Sequence, residues 1–192
     1  MTKLTPRFQA ALDYAFQVHD GQVRKGTEIP YISHLMGVTA IALEHGATED
    51  EAIGALLHDA AEDAGGAPVI EDVRSKFGQA VADIVDGCSD TFKTPKPPWR
   101  HRKEAYIAHL EKASPSVLLV SAADKLHNVR SITCDNREIG EKVWARFTGG
   151  REGTLWYYRS LADAFLRLSG NRLASELNLA VLELERLAAG CR

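Results

Sequence analysis

Apolar residues recur at helical spacing along almost the whole chain. Thr5-Pro6 opens the first helix, a capping residue followed by a proline suited to the first turn. Phe8, Leu12, Ala15, Phe16 and Val18 then form an apolar stripe up to Asp20-Gly21. The polar stretch GQVRKGTEIP (21–30) predicts a loop, and a second helix is predicted over about 33–45, ending at Gly46. Thr48 and Glu51 make a capping-box pattern for a third helix, read as continuous through LLHDAAED (56–63) to the breaker Gly65-Gly66-Ala67-Pro68. Shorter helices follow at about 69–77 and 79–89. The segment TFKTPKPPW (91–99), with three prolines, predicts irregular chain before a helix at about 98–112. Ser114-Pro115 starts another helix, PSVLLVSAADKLHNVRSI, with a very apolar first half, and the tail holds three more patterns near 139–147, 153–168 and 172–188. There is no strand alternation, hairpin signal, internal repeat or flexible linker. The expectation is an all-α helical bundle of about ten helices. It forms one domain over 1–192, with a motif core at about 19–131 and C-terminal helices at about 137–188.

Composition narrows the classes. A chain of 192 residues can bury a real core, and 45% hydrophobic with 26% charged residues is an ordinary globular balance. A net charge of −3 carries no nucleic-acid footprint. Cys88, Cys134 and Cys191 are odd in number and far apart, which argues against a disulfide framework and a cysteine zinc site. The N-terminus lacks a signal-peptide core, and no apolar run approaches the ~20 residues of a membrane span. A cytoplasmic protein without a membrane partner is expected.

The chemistry gathers in LLHDAAED. His58 and Glu62, and Asp59 and Asp63, stand four residues apart, so a continuous helix would put all four on one side, the side of Ile53, Leu56 and Leu57. Such groups are costly there unless something pairs with them, and a divalent metal suits an adjacent imidazole and carboxylate. Two residues cannot complete its shell. His34, at the start of the second helix, and Asp124, directly after the apolar run VLLVSAA, are the candidates for the rest. Mixed imidazole and carboxylate ligation suits Mn, Fe or Zn better than Ca.

A histidine, a distant His-Asp pair and a later aspartate resemble the HD phosphohydrolase superfamily. With their flanks, GQVRKGTEIPYISHLMGV, LLHDAAED and SAADKLHNVRS are similar to the hydrolase domain of RelA/SpoT enzymes, and in size to the single-domain small alarmone hydrolases of the metazoan SpoT-homologue type. The resemblance implies one Mn²⁺ ion, held by His34, His58, Asp59 and Asp124. It implies that a metal-activated water hydrolyses the 3′-pyrophosphate of guanosine tetra- or pentaphosphate, (p)ppGpp, to GDP or GTP and pyrophosphate. Glu62 and Asp63 match the acidic pair that orients or activates this water. Arg24 and Lys25 match the basic pair of the nucleotide pocket, Asn128 meets the ribose region, and Ser131 lies near the 5′-phosphates; Lys125 is counted with this substrate-binding set. No synthetase or regulatory segment is read in the sequence, so a free-standing hydrolase is expected.

Other readings stay open at this level. The substrate could be an adenosine alarmone of the ppApp type, or NADPH or another nucleotide for a phosphatase, and the chain could be a non-catalytic nucleotide-binding module. Asp124 could instead pair with Lys125 or Arg130, and Asn128 could be a surface residue. The basic run KTPKPPWRHRK (93–103) either lines the pocket or is a solvated loop. His101, His109 and His127 read as surface or core histidines, and Trp144, Phe147, Trp156, Tyr157 and Tyr158 as packing between the last helices, with a lid or base-stacking wall as the second reading. DGCSDTFKTP departs from the Val-Thr-Lys-Leu-like stretch of many relatives and puts Asp90 near a phosphate path. The last helix packs on the core or forms a homo-oligomer contact.

Overall fold

The structure, a computed structural model, describes residues 2–92 and 95–190; Cys191, and Lys93 and Thr94 of the basic run, lie outside the described residues. Ten α-helices are formed among them: α1 (Pro6–Val18), α2 (Ile32–Glu44), α3 (Glu49–Leu57), α4 (Ala60–Ala64), α5 (Ala67–Phe77), α6 (Gln79–Cys88), α7 (Trp99–Leu110), α8 (Pro115–Ile139), α9 (Gly150–Leu168) and α10 (Arg172–Ala188). A 3₁₀ segment, Gly140–Arg146, links α8 to α9. The described residues contain no strand; the 21–30 loop is pinched by one antiparallel bridge between Val23 and Pro30. The all-α expectation holds.

The caps are those the sequence carries. Thr5 accepts from the Arg7 N–H, Ser114 accepts from the Val117 N–H, and Thr48 and Glu51 form a reciprocal capping box. The third predicted helix, however, is not continuous. It breaks after Leu57, and Asp59, at φ −97° and ψ −6°, separates α3 from the short α4. The 139–147 pattern is the 3₁₀ segment rather than an α-helix, because Gly140 ends α8 at φ 62°. Nothing in TCDNRE breaks the preceding turns, so α8 runs for 25 residues, about 37 Å.

Two buried clusters result. One gathers the side chains of α2, α6, α9 and α10 around Val120, Ala123, Leu126 and Val129 of α8. The other joins α1, α3, α5 and α6 through Ala11, Ile53, Leu56, Val73 and Val81. Phe165, Leu126, Leu161 and Leu177 are fully buried, and each contributes roughly 1.5–3 kcal/mol by leaving water. α3 supplies Ala55 to the first cluster and Ile53 and Leu57 to the second. The end of α3 is therefore fixed from both sides, beside α2 and the middle of α8.

Candidate metal centre and its cavities

Three elements bring four side chains to one point. His34 lies in the first turn of α2, His58 and Asp59 form the α3–α4 junction, and Asp124 lies midway along α8. His34 and His58 are 1% and 2% exposed, Asp124 is 5% exposed, and Asp59 is half-buried. Donor atoms of His34, His58 and Asp59 all lie within 4.8 Å of one another. His34 Nε2 stands 3.2 Å from Asp124 Oδ1 and 3.6 Å from Asp59 Oδ2. His58 Nε2 stands 3.0 Å from Asp59 Oδ2 and 3.6 Å from Asp124 Oδ1. Two imidazoles and two carboxylates thus alternate in a closed ring.

The donor set fits a cation. The His58 Nδ1–H donates to the Ala55 carbonyl at 2.8 Å, which turns Nε2 into the ring, where it is buried and makes no hydrogen bond. His34 Nδ1 is hydrogen-bonded to Nδ1 of His127 at 2.9 Å, so its Nε2 also faces inward. The cluster of His34, His58 and Asp59 can coordinate a divalent metal. The electrostatics agree. Burial alone would raise Asp59, but the facing imidazoles, His58 first and then His34, hold it well below the usual carboxylate range. Burial of Asp124 is likewise outweighed, first by the Lys125 ammonium and then by His34 and His58. Burial works against charge on His58, yet Asp59 and Asp124 raise its pKa well above that of an ordinary histidine. The ring calls for positive charge.

Surrounding groups hold the ring in place. Asp59 Oδ2 accepts from the Tyr31 hydroxyl at 2.5 Å, and the Tyr31 ring stacks on buried His19. Asp124 Oδ2 accepts from Lys125 at 2.5 Å, and its Oδ1 accepts from Asn128, whose own oxygen accepts from Arg24 at 3.0 Å. His127 is kept neutral: burial, then His34 and Arg24, push its pKa down to about 4, so it can accept the His34 Nδ1–H. Gly37 on α2 makes room for it, since a Cβ there would stand 2.3 Å from His127 Nε2.

Two cavities adjoin the ring and share Lys25, Asn128, Phe147 and Tyr158. The first, of about 500 Å³, is lined by Arg24, Tyr31, His127, Ser131 and Arg146 among others. The second, of about 310 Å³, takes Glu62, Asp90, Lys96, Arg102, Lys103 and Lys125. Glu62 and Asp63 diverge. Glu62 accepts from Lys96 at 3.0 Å and from the Asp90 backbone N–H at 3.3 Å, within the second cavity. Asp63 accepts from Gln22 at 2.8 Å and faces His19, on the side of the 21–30 loop. Burial, and then Asp59, raise the Asp63 pKa.

A family model described as the HD domain matches residues 11–155. The chain belongs to the HD-domain family. Within it, the chain is closely related to the SpoT- and MESH1-like (p)ppGpp hydrolases. It is 33% identical over 178 residues, covering 91% of both chains, to the Danio rerio guanosine-3′,5′-bis(diphosphate) 3′-pyrophosphohydrolase MESH1. To the MESH1 of Xenopus tropicalis it is 37% identical over 125 residues, 64% of this chain and 67% of that one. It is 34% identical to a Streptomyces coelicolor GTP pyrophosphokinase over 92% of its own length, but spans only 19% of that protein. Among solved structures, a metazoan orthologue of SpoT that hydrolyses ppGpp superposes over 100% of both chains with a TM-score of 0.75 and 27% identity. No helix among the described residues is long and apolar enough to cross a membrane.

The HD domain brings His34, His58, Asp59 and Asp124 together, and places Arg24, Lys25, Asn128 and Ser131 around the first cavity. It does not keep all four polar residues of HDAAED on one side, because the chain breaks at Asp59. Asp124 pairs with Lys125 and also faces the two histidines, while Arg130 reaches Glu176 at 3.3 Å. Lys96, Trp99, Arg102 and Lys103 of the basic run line the second cavity. Tyr157 and Tyr158 are buried in the core and also form cavity wall. The sequence reading missed His127 and Tyr31. Asp124, His127 and Asn128, spaced i, i+3 and i+4 on one helix face, are a signal that could have shown the first.

His58 Nε2 could take either a proton or a divalent ion. Because its pKa is raised in the ion-free state, a divalent ion must displace a proton, so metal affinity should rise with pH. Titration calorimetry with Mn²⁺ from about pH 5.5 to about pH 8, in buffers of different ionisation enthalpy, should show binding that strengthens upward with proton release. Flat affinity without released protons would contradict this reading of His58.

Proposed function

We propose that this HD domain is a Mn²⁺-dependent nucleotide 3′-pyrophosphohydrolase, and that its substrate is a guanosine alarmone, (p)ppGpp, cleaved to GDP or GTP and pyrophosphate. The observation that carries the reading is the alternating ring of His34, Asp124, His58 and Asp59 beside two cavities lined with basic residues. The names of the zebrafish and frog relatives supply the substrate class.

In this reading the four ring residues hold the ion, which when bound lowers the pKa of a water molecule and draws charge from a phosphoryl oxygen. Glu62, at the wall of the second cavity, accepts the proton of the attacking water. Water oxygen bonds to the phosphorus next to the ribose, the bond from that phosphorus to the 3′-oxygen breaks, and the 3′-oxygen takes up a proton. Asp63 is a positioning residue: it fixes Gln22 beside His19 and Tyr31, and Tyr31 holds Asp59. Arg24 and Asn128 bridge the ring to the first cavity, where they and Ser131 meet the nucleoside and its 5′-phosphates. Lys25, shared by both cavities, and Lys125 counter phosphate charge, which is most of what phosphoryl transfer asks of a protein.

A product-resolved screen with Mn²⁺ tests this, using guanosine and adenosine 3′-pyrophosphates, NADPH and nucleoside monophosphates. Pyrophosphate and a nucleoside 5′-diphosphate are the expected products from the guanosine alarmone. Orthophosphate from NADPH alone would make the chain a nucleotide phosphatase, and binding without turnover would make it a nucleotide-binding module.

A further inference from the structure

Among the described residues, five cationic side chains line the second cavity: Lys25, Lys96, Arg102, Lys103 and Lys125. Four of them already answer to carboxylates of the chain. Glu62 takes Lys96, Asp124 takes Lys125, and Asp90 takes both Arg102 and Lys103, the latter at 2.9 Å. Among the described residues, Lys25 is the lining cation without an ion pair. The side chain of Asp90 is 5% exposed and those of its partners 15% and 20%, so water screens these pairs far less than surface ones. Both cations meet on Oδ2, while Oδ1 is buried and has no hydrogen-bond partner among the described residues. The wall that carries them is anchored: Trp99 lies against Gly149, where a Cβ would come within 2.7 Å of its ring, and Arg100 stacks on Trp156 at 3.2 Å.

We infer that Asp90 limits the phosphate affinity of this cavity by withholding Arg102 and Lys103 from the bound anion, which keeps pyrophosphate releasable; the inference rests on the pyrophosphohydrolase reading above. An entering polyanion must compete with a buried carboxylate for two of the five cations. A product held by all five would leave slowly, and release then limits turnover. Asp90 also donates its backbone N–H to Glu62, so the residue that tempers the anion's grip lies beside the group proposed to receive the water proton.

Titrating inorganic pyrophosphate into the full chain, with no metal added, reads this without turnover. Asp90→Asn should bind pyrophosphate about tenfold more tightly than the parent, with a steeper salt dependence, because one buried negative charge is removed from the wall. With Mn²⁺ and nucleotide, the same variant should show a lower KM and stronger inhibition by pyrophosphate. Arg102→Gln should abolish most of the gain in the Asp90→Asn background, yet change the parent by less than about threefold, whereas Lys25→Gln should weaken the parent about tenfold. Unchanged or weaker pyrophosphate binding by Asp90→Asn overturns the inference, since Asp90 would then hold the cations ready for the anion. Should that variant fail to fold, the single variants decide: an Arg102→Gln loss equal to that of Lys25→Gln overturns it. The expected binding pattern in a chain that cleaves no nucleotide would reject the pyrophosphohydrolase reading alone and leave the action of Asp90 on anions standing.

Discussion

Asp59→Ala should lower Mn²⁺-dependent nucleotide hydrolysis by at least about 10³-fold while the helical content stays that of the parent. Asp59 is the carboxylate nearest His58, at 3.0 Å, and it also faces His34. Its removal takes one of two negative charges from the ring and thereby weakens the hold on any cation. Alanine also strands the Tyr31 hydroxyl, which donates to Asp59, at a cost of about 1–3 kcal/mol. Asp59→Asn separates the two effects. It leaves an acceptor for Tyr31 and removes only the charge, so stability should recover and activity should not. Thermal melts with and without Mn²⁺ read the difference. The ion should raise the melting temperature of the parent by binding the folded state, and should do so much less for either variant. A parent-like rate in Asp59→Asn would show that this carboxylate is not needed as a charge.

Glu62→Gln should retain the Mn²⁺-induced rise in melting temperature and lose about 10²- to 10⁴-fold in turnover, the usual range for a general base. Glutamine matches the shape and can still accept from the Asp90 N–H. It gives up the Lys96 ion pair, but Lys96 is half exposed and such a pair contributes only about 0–1 kcal/mol. Stability should therefore hardly move, which makes lost turnover a statement about chemistry. Asp63→Asn should cost less, because Asp63 acts on the ring through Gln22, His19 and Tyr31 rather than from the cavity. Undiminished turnover in Glu62→Gln with metal still bound would remove Glu62 from the role of base.

Much of this is legible in the sequence. Helix starts were written in Thr5-Pro6, Thr48 with Glu51, and Ser114-Pro115, and the caps form as those residues dictate. The ring was legible because His58, Asp59 and Asp124 are polar groups set in apolar runs, which need partners. The break at Asp59 was not legible: Leu57, His58 and Ala60 all suit a helix, and the interruption shows only in the backbone at Asp59. Nor was the role of His127. Its meaning depends on His34, 93 residues away, and on the gap left by Gly37, both products of how α2 packs on α8. DGCSDTFKTP shows an acid at Asp90, and the structure sets its carboxylate in the wall of the second cavity. That it engages Arg102 and Lys103 follows from α7 folding back onto its own entry loop.

The proposed chemistry requires one cation held jointly by residues from α2, the α3–α4 junction and α8. Anomalous X-ray diffraction at the manganese edge, from crystals of the full chain grown with Mn²⁺, tests it most directly. The expected map has one strong peak per chain, bonded to His34, His58, Asp59 and Asp124. A peak that leaves out either histidine or Asp124, or one that sits only among exposed carboxylates, would contradict it.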